Sequence, residues 1–392
     1  MPAYDTIVVG LGAVGSACLY QLAKRGQRVL GIDRYAPPHT MGSSHGETRI
    51  TRQAIGEGEA YVPLVMRSHE IWREIEAETG AELLVQCGTL ILAGREGAAN
   101  HHGKGDFVRR TISAAVRFGI PHEVLDAAEV SARYPQLGLT GAEIGYFEPG
   151  GGFVRPERCI AAQLSLARRH GAQLLLDTAV AGHQADGPGA TAVTTAGGGR
   201  FTAAQVIVAA GPWTGGIVGG AMGGHMQVCR QTLHWYGADD EAAYAPERFP
   251  VFIWMHGDRQ EDYLYGFPVP SGSTGVKVAT EQYGGVTADP DLLRRDVLAA
   301  EEQAMFRDHV AGRLRGVRPG ALRSSACMYT VTPDSGFLVD WLPGDGRVLV
   351  ASACSGHGFK HSAGLGEAVA KGIADGTADL GHFGAARLEG AA

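Results

Sequence analysis

Gly10, Gly12 and Gly15 of Gly10-Leu11-Gly12-Ala13-Val14-Gly15 have the spacing in which backbone N–H groups at a helix start receive a pyrophosphate. Asp33 follows 18 residues after Gly15, near the roughly 20 at which an acid hydrogen-bonds a ribose diol and disfavours a 2′-phosphate. A second set of residues is cationic. Arg49 and Arg52 lie three apart and share a face if their stretch is helical; their planar guanidinium groups suit carboxylates and oxyanions. Lys360 ends Ser355-Gly356-His357-Gly358-Phe359-Lys360, where Gly356 and Gly358 permit close backbone approach and N–H dipoles can face developing negative charge. Two separated cations suit a carboxylate gripped at both oxygens. Lys277, in the apolar Val276-Lys277-Val278, would be an ammonium in a partly dry site, able to stabilise small oxygen anions. Cys327, taken alone, reads as a small buried hydrophobe.

The glycine motif gains its meaning from the elements around it. A strand at Tyr4–Val9 precedes it, a helical run through Arg25 follows, and the apolar Val29-Leu30-Gly31-Ile32 ends at Asp33, which together make one βαβ unit. The runs from Gln205 to Gly211 and from Arg347 to Ala353 read as further central parallel strands. Between them, Gln227 to about Thr280 is rich in aromatic and β-forming residues and reads as an antiparallel sheet with turns at Gly257-Asp258 and Ser271-Gly272. A helix is expected over Asp289–Phe306, with Pro290 in its first turn, and a closing helix over 366–376. The glycine-dense run from Gly215 to Gly224 reads as a loop or helix end.

With 392 residues the chain is long enough for two domains. The expected division is a nucleotide domain of 1–85, 150–215 and 321–392 with a sheet domain of 86–149 and 216–320 inserted into it. Lys and Arg number 34 against 41 Asp and Glu, and the net charge of −7 has the wrong sign for a polyanion binder, so neither nucleic acid nor a membrane is expected as a partner. No apolar run reaches the ~18 residues of a membrane span, and the N-terminus lacks a basic segment and cleavage site. Six cysteines without a CxxC pair fit neither a disulfide framework nor a metal knuckle; free thiols in a reducing cytoplasm, and no metal, are expected.

Four further segments, in order along the chain, carry a more specific signal: Pro37 to Arg52, Tyr265-Gly266-Phe267-Pro268 leading to Lys277, Ala326-Cys327-Met328-Tyr329-Thr330, and Ser355 to Lys360. With the βαβ unit they resemble the monomeric sarcosine oxidase and N-methyltryptophan oxidase family of flavoenzymes. The resemblance implies an α/β fold: a glutathione-reductase-like, FAD-binding Rossmann domain with an inserted mixed or antiparallel sheet domain covering the flavin. It implies that Arg34, Ser43, His45, Arg49, Gly356 and Gly358 join the glycines and Asp33 at the cofactor, and that Cys327 bonds the flavin covalently. It implies that Arg52 and Lys360 bind a substrate carboxylate, that Tyr265 and Tyr329 border the substrate pocket, and that Lys277 promotes the reaction of reduced flavin with dioxygen.

The implied reaction is oxidation of an N-methyl α-amino acid by a monomeric enzyme, giving an imine, then an aldehyde and primary amino acid, with H2O2 from O2. Oxidation of cyclic imino acids or glycated amino acids, a flavin dehydrogenase and a non-catalytic FAD-binding scaffold are the rival readings. The chain departs from the family at Ser44 and at Glu281, where the relatives often carry histidine, and in the longer polar run from Met255 to Asp262. Glu281 would favour a cationic or hydroxylated substrate portion or pair with an arginine. His357 is open between a catalytic base and a histidine that orients the backbone.

Overall fold

Tyr4–Val9, Val29–Ile32 and the end of Arg200–Val208 are buried on both faces, which is the pattern of strands covered on two sides. In the computed structural model, which describes residues 2–94, 101–287, 289–374 and 380–389, these strands form the middle of a parallel sheet. Its order is Asp345–Ser352, Arg200–Val208, Tyr4–Val9, Val29–Ile32, Gln173–Leu175, all parallel to their neighbours. Antiparallel strands Thr191–Thr195 and Val180–Ala185 extend it from Arg200–Val208, and Leu338–Leu342 folds back on Asp345–Ser352. The helix Ala13–Lys24 is buried from Val14 to Ala23. It lies so close to the helix Ser362–Ala374 that a Cβ on Gly366 would stand 2.4 Å from the Cβ of Ala17.

Among the described residues the second sheet has nine strands and is mixed, because Val251–Met255 pairs parallel with Thr89–Ala93 while its other neighbour, Tyr263–Gly266, runs antiparallel. Tyr263–Gly266, Val276–Ala279 and Gln227–Ala238 follow in order, and the long strand Val317–Val331 lies along the far side of Gln227–Ala238. That pairing holds Val317–Val331 in the second sheet throughout. The expected boundary at 321 therefore falls inside a strand, and Cys327 and Tyr329 ride on the second sheet.

Three local expectations are corrected. Arg49–Thr51 is a strand, paired antiparallel with Gly152–Val154, so Arg49 and Arg52 do not share a helical face. The segment 289–306 is not one helix: a short 3-10 turn at Pro290–Leu292 is followed by extended chain, and the α-helix begins at Ala299. The cause is Arg230, whose guanidinium takes the carbonyls of Arg294 and Asp296, while Glu301 caps the N–H of Leu298. The glycine-dense run becomes two short helices, Thr214–Val218 and Gly220–Gly224. The closing helix starts at Ser362 and is described to Ala374; its expected last two residues lie outside the described residues. Among the described residues no helix is long and apolar enough to cross a membrane.

Candidate active site

Two cavities open side by side. The larger, of about 320 Å³, is lined by Gly10, Gly12, Asp33, Arg34, Ser43 and Cys354 among others; the smaller, of about 70 Å³, by Arg52, Glu57, His102, Tyr265, Glu281 and Lys360 among others. Arg49, Tyr329, Gly356 and Phe359 belong to both walls.

The larger cleft is made by backbone. A Cβ on Gly15 would stand 1.7 Å from the Gly10 carbonyl oxygen, and one on Gly10, at φ +86°, would stand 2.5 Å from the Ala210 Cα. Gly12 has only the Ser44 hydroxyl near its missing Cβ, at 3.9 Å, which leaves the floor of the cleft open. Gly12 also caps the helix without a side chain, so the N–H groups of the first turn are available to an anion. Asp33 accepts the N–H of Leu11 at 2.6 Å on one oxygen and of Tyr35 at 2.8 Å on the other, and each oxygen keeps a lone pair for a sugar hydroxyl. Arg34 pairs with Asp291 at 2.8 Å and lies over the Trp213 ring. It thus closes the cleft from the side.

At the shared wall, Arg49 donates to the carbonyls of Thr48 at 2.9 Å and Ser43 at 2.7 Å. Its second nitrogen is 3.6 Å from the Cys327 sulfur, which lies 3.5 Å from the Ser43 carbonyl. Burial alone would push this thiol up, but His45 and Arg49 outweigh it and bring it down to about 7. Buried Cys18 and half-buried Cys87, without such neighbours, are pushed up to about 12. Among the described residues, the Ser43 hydroxyl and the Nε2 of His45 are buried without hydrogen-bond partners. Lys277 lines neither cavity. Its ammonium donates to the carbonyls of Gly46 at 2.7 Å and Thr48 at 2.8 Å and lies over the Phe267 ring at 4.5 Å; burial, and then Arg49, hold it well below the usual lysine range.

The smaller chamber is walled by charge. Arg52, 1% exposed, donates from one nitrogen to both oxygens of Glu57, at 2.6 and 2.8 Å. Lys360 is 3.9 Å from the same carboxylate and donates to the His357 carbonyl at 2.8 Å. Burial opposes the charge on Glu57, yet Arg52 and Lys360 hold it well below the usual carboxylate range. Burial lowers Lys360 to about 7, although Glu57 acts to raise it.

Above Glu57 stands His102, with Nδ1 at 3.4 Å from Glu57 and Nε2 at 2.9 Å from Glu281. Burial works against its charge, but the two carboxylates raise it to about 9. Glu281 also accepts from the Tyr283 hydroxyl at 2.8 Å. The partner of Glu281 is therefore a histidine, not an arginine, and its charge is neutralised within the protein. Glu57, His101 and His102 lie close enough to share an ion, but Arg52 occupies both oxygens of Glu57 and Lys360 faces them. Tyr265 and Tyr329 meet at 3.4 Å between their hydroxyls. His357 stacks on Phe337 and its Nε2 is 3.0 Å from the Ser335 carbonyl, where an N–H must donate.

Residues 5–371 match the family described as FAD dependent oxidoreductase. The chain belongs to that family. It is 36% identical to a monomeric sarcosine oxidase of Streptomyces avermitilis, over 100% of this chain and 99% of that protein. It is 34% identical to an N-methyl-L-tryptophan oxidase of Yersinia pestis, over 94% of each. In fold it is similar to NikD, an unusual amino acid oxidase essential for nikkomycin biosynthesis (TM-score 0.80, 22% identity, 99% of this chain and 97% of that one). It is also similar to the L-proline dehydrogenase of P. horikoshii (TM-score 0.80, 23% identity, 98% and 97%).

The cleft of this FAD dependent oxidoreductase fits its cofactor. The uncapped helix start suits a pyrophosphate, Asp33 a ribose, and the unpartnered Ser43 hydroxyl and His45 Nε2 a polar ring edge. Glu57, His101, His102 and Tyr283 are the site residues that the sequence reading did not pick out. Glu57 had a faint signal in its glycine flanks, Gly56 and Gly58, which free the chain to bend back on Arg52; the adjacent histidines before Gly103 marked a turn.

Proposed function

We propose that the protein is an FAD-dependent oxidase of N-methyl α-amino acids, forming an imine that yields an aldehyde and the primary amino acid. The carrying observation is the convergence of Arg52 and Lys360, from opposite ends of the chain, on one carboxylate in a chamber that shares a wall with the FAD cleft. That carboxylate is Glu57. A substrate carboxylate joins it at the same two cations, so that Glu57 keeps its counter-charge while Arg52 and Lys360 hold the substrate. The names of the relatives support secondary amino acids as the class.

With the carboxylate fixed, the substrate nitrogen and its N-methyl group extend toward the shared wall of Arg49, Tyr329 and Gly356. Positive charge around the site disfavours the ammonium form of the substrate, and the neutral amine is the species that can lose a hydride. Fixing that C–H bond supplies much of the rate. When bound, FAD supplies acceptance of two electrons and their transfer to O2, which becomes H2O2. Lys277 is assigned to favouring that transfer as an ammonium, a form that its donation to the Gly46 and Thr48 carbonyls supports against its burial, and Tyr265 and Tyr329 confine the substrate. His357, bonded to backbone, is assigned to positioning the Lys360 loop.

Cys327 is assigned a thioether to the flavin. Its lowered thiol beside Arg49 and His45 supports this; bond formation removes one S–H and one C–H hydrogen, with O2 taking the two electrons. Unpaired cysteines support a reducing cytoplasm, and the printed name of the sarcosine oxidase relatives supports a monomer.

The deciding experiment adds N-methylglycine to the yellow holoenzyme without oxygen and then admits air. Bleaching, followed by recovery with one peroxide per aldehyde, is expected. A flavin left oxidised by every N-methyl amino acid tried overturns the reading, and bleaching by a cyclic imino acid alone moves it to that class. On acid precipitation the colour is expected to stay with the wild-type polypeptide and to leave the Cys327→Ser variant; release from both removes the thioether.

A further inference from the structure

His101, His102, Gly103 and Lys104 form a tight turn closed by the backbone bonds of His101 N–H to Lys104 at 3.1 Å and of Lys104 N–H to His101 at 2.9 Å. Its two central residues have φ of +51° and +69°, as a type I′ turn requires, and histidine is among the side chains that tolerate this region. His102 is thereby held at the tip, with its ring between Glu57 and Glu281. Behind it His101 stacks on Tyr263 at 4.6 Å and meets the edge of Phe107 at 4.6 Å, so the turn is backed by packed rings. Glu281 is fixed from its other side by Tyr283.

Facing this pair is Gly356, in the wall shared with the FAD cleft. A Cβ on Gly356 would stand 3.1 Å from both the His102 Nε2 and the Glu281 carboxylate. The roof therefore lies one van der Waals contact above the floor. The chamber of about 70 Å³ is far below the ~300 Å³ of ordinary ligand sites. The roof also resists moving. Lifting His102 away would leave Glu281 a buried carboxylate without its cation, which is much costlier than swinging an apolar side chain aside.

We infer that the His102–Glu281 pair sets the size limit of the substrate side chain, selecting N-methyl amino acids of glycine or alanine size against those with an aromatic side chain. This rests on the oxidase reading for its substrates, though not for its geometry. Two readouts keep the two apart: kcat/KM for N-methylglycine against N-methyl-L-tryptophan, and binding of the amine-free carboxylates methoxyacetate and indole-3-propionate, followed by the visible spectrum of the holoenzyme.

The wild type is expected to favour the small member of each pair by at least about a hundredfold, the order of the penalty for stranding a buried charge. In a His102→Ala/Glu281→Gln double variant, which removes both charges together, the preference is expected to fall by roughly tenfold or more. His102→Lys, keeping a cation of similar reach beside Glu281, is expected to keep the preference. A wild type that takes the indole compounds as readily as the small ones, a double variant with unchanged preference, or a His102→Lys as permissive as the double variant each overturns the proposal. If no amine bleaches the flavin but the carboxylates discriminate as stated, the oxidase reading fails and the size limit stands.

Discussion

The cleft for the dinucleotide is walled by backbone, whereas the chamber beside it is walled by charged side chains, and the two share Arg49, Tyr329 and Gly356. In the cleft, selectivity comes from what is missing: Cβ atoms at Gly10 and Gly15 and a side-chain cap at Gly12. In the chamber, Arg52, Lys360 and His102 face Glu57 and Glu281, so each buried carboxylate has a counter-charge within the protein. A backbone cradle can leave its N–H groups to water, whereas charged side chains this deeply buried must pair within the protein, because an unpaired buried charge is far costlier than an unpaired N–H at a helix start.

The largest effect that distinguishes them belongs to the cleft. Gly15→Ala places a Cβ 1.7 Å from the Gly10 carbonyl, so the first strand and helix must separate. The expected outcome is protein isolated without flavin, checked by the visible spectrum after purification with added FAD. Full flavin content would show that the cradle tolerates displacement and that backbone contact is not what builds it. Next comes Arg52→Met, which removes the main partner of Glu57. A fall of roughly a hundred- to a thousandfold in kcat/KM with flavin content unchanged is expected from breaking a buried pair. Loss of flavin in this variant would mean that the two cavities do not divide their work.

Lys277→Met tests the region outside both walls. Stopped-flow is expected to show reoxidation by O2 slowed by about tenfold or more, the scale of removing one preorganised charge, with the reductive step nearly unchanged. Equal slowing of both half-reactions would remove the assignment to oxygen.

The same division explains what could be read from the sequence. The cradle is local: strand, three glycines, helix and acid fall within the first 33 residues, and the spacing alone specifies their contacts. The cations of the chamber were visible as residue types, but their resting partners were not. His102 and Glu281 are 179 residues apart and meet only because Thr89–Ala93 and Val276–Ala279 enter the same sheet. The strand at Arg49–Thr51 was hidden for a related reason, since its pairing partner is Gly152–Val154. The helix expected from 289 fails because one arginine from another strand claims two of its carbonyls. In each case a distant group overrides a local preference.

The smallest predicted effect is a pH dependence confined to the chamber. Lys360 has a value of about 7 in the free enzyme, with Arg52, Glu57 and Glu281 as its charged neighbours. A bound carboxylate favours the ammonium and raises that value, so the complex holds more proton than the free enzyme between the two values. Binding therefore takes up a proton, and carboxylate affinity should be greatest below about pH 7 and fall as pH rises, by at most tenfold per unit. His102, raised to about 9, loses its proton only later. Titration of the holoenzyme with methoxyacetate at several pH values should show this limb in the wild type and lose it in Lys360→Met, while flavin retention shows no such dependence. A wild-type affinity flat across neutrality would mean that Lys360 keeps its proton in the free enzyme, and that the chamber is held charged as rigidly as the cleft is held open.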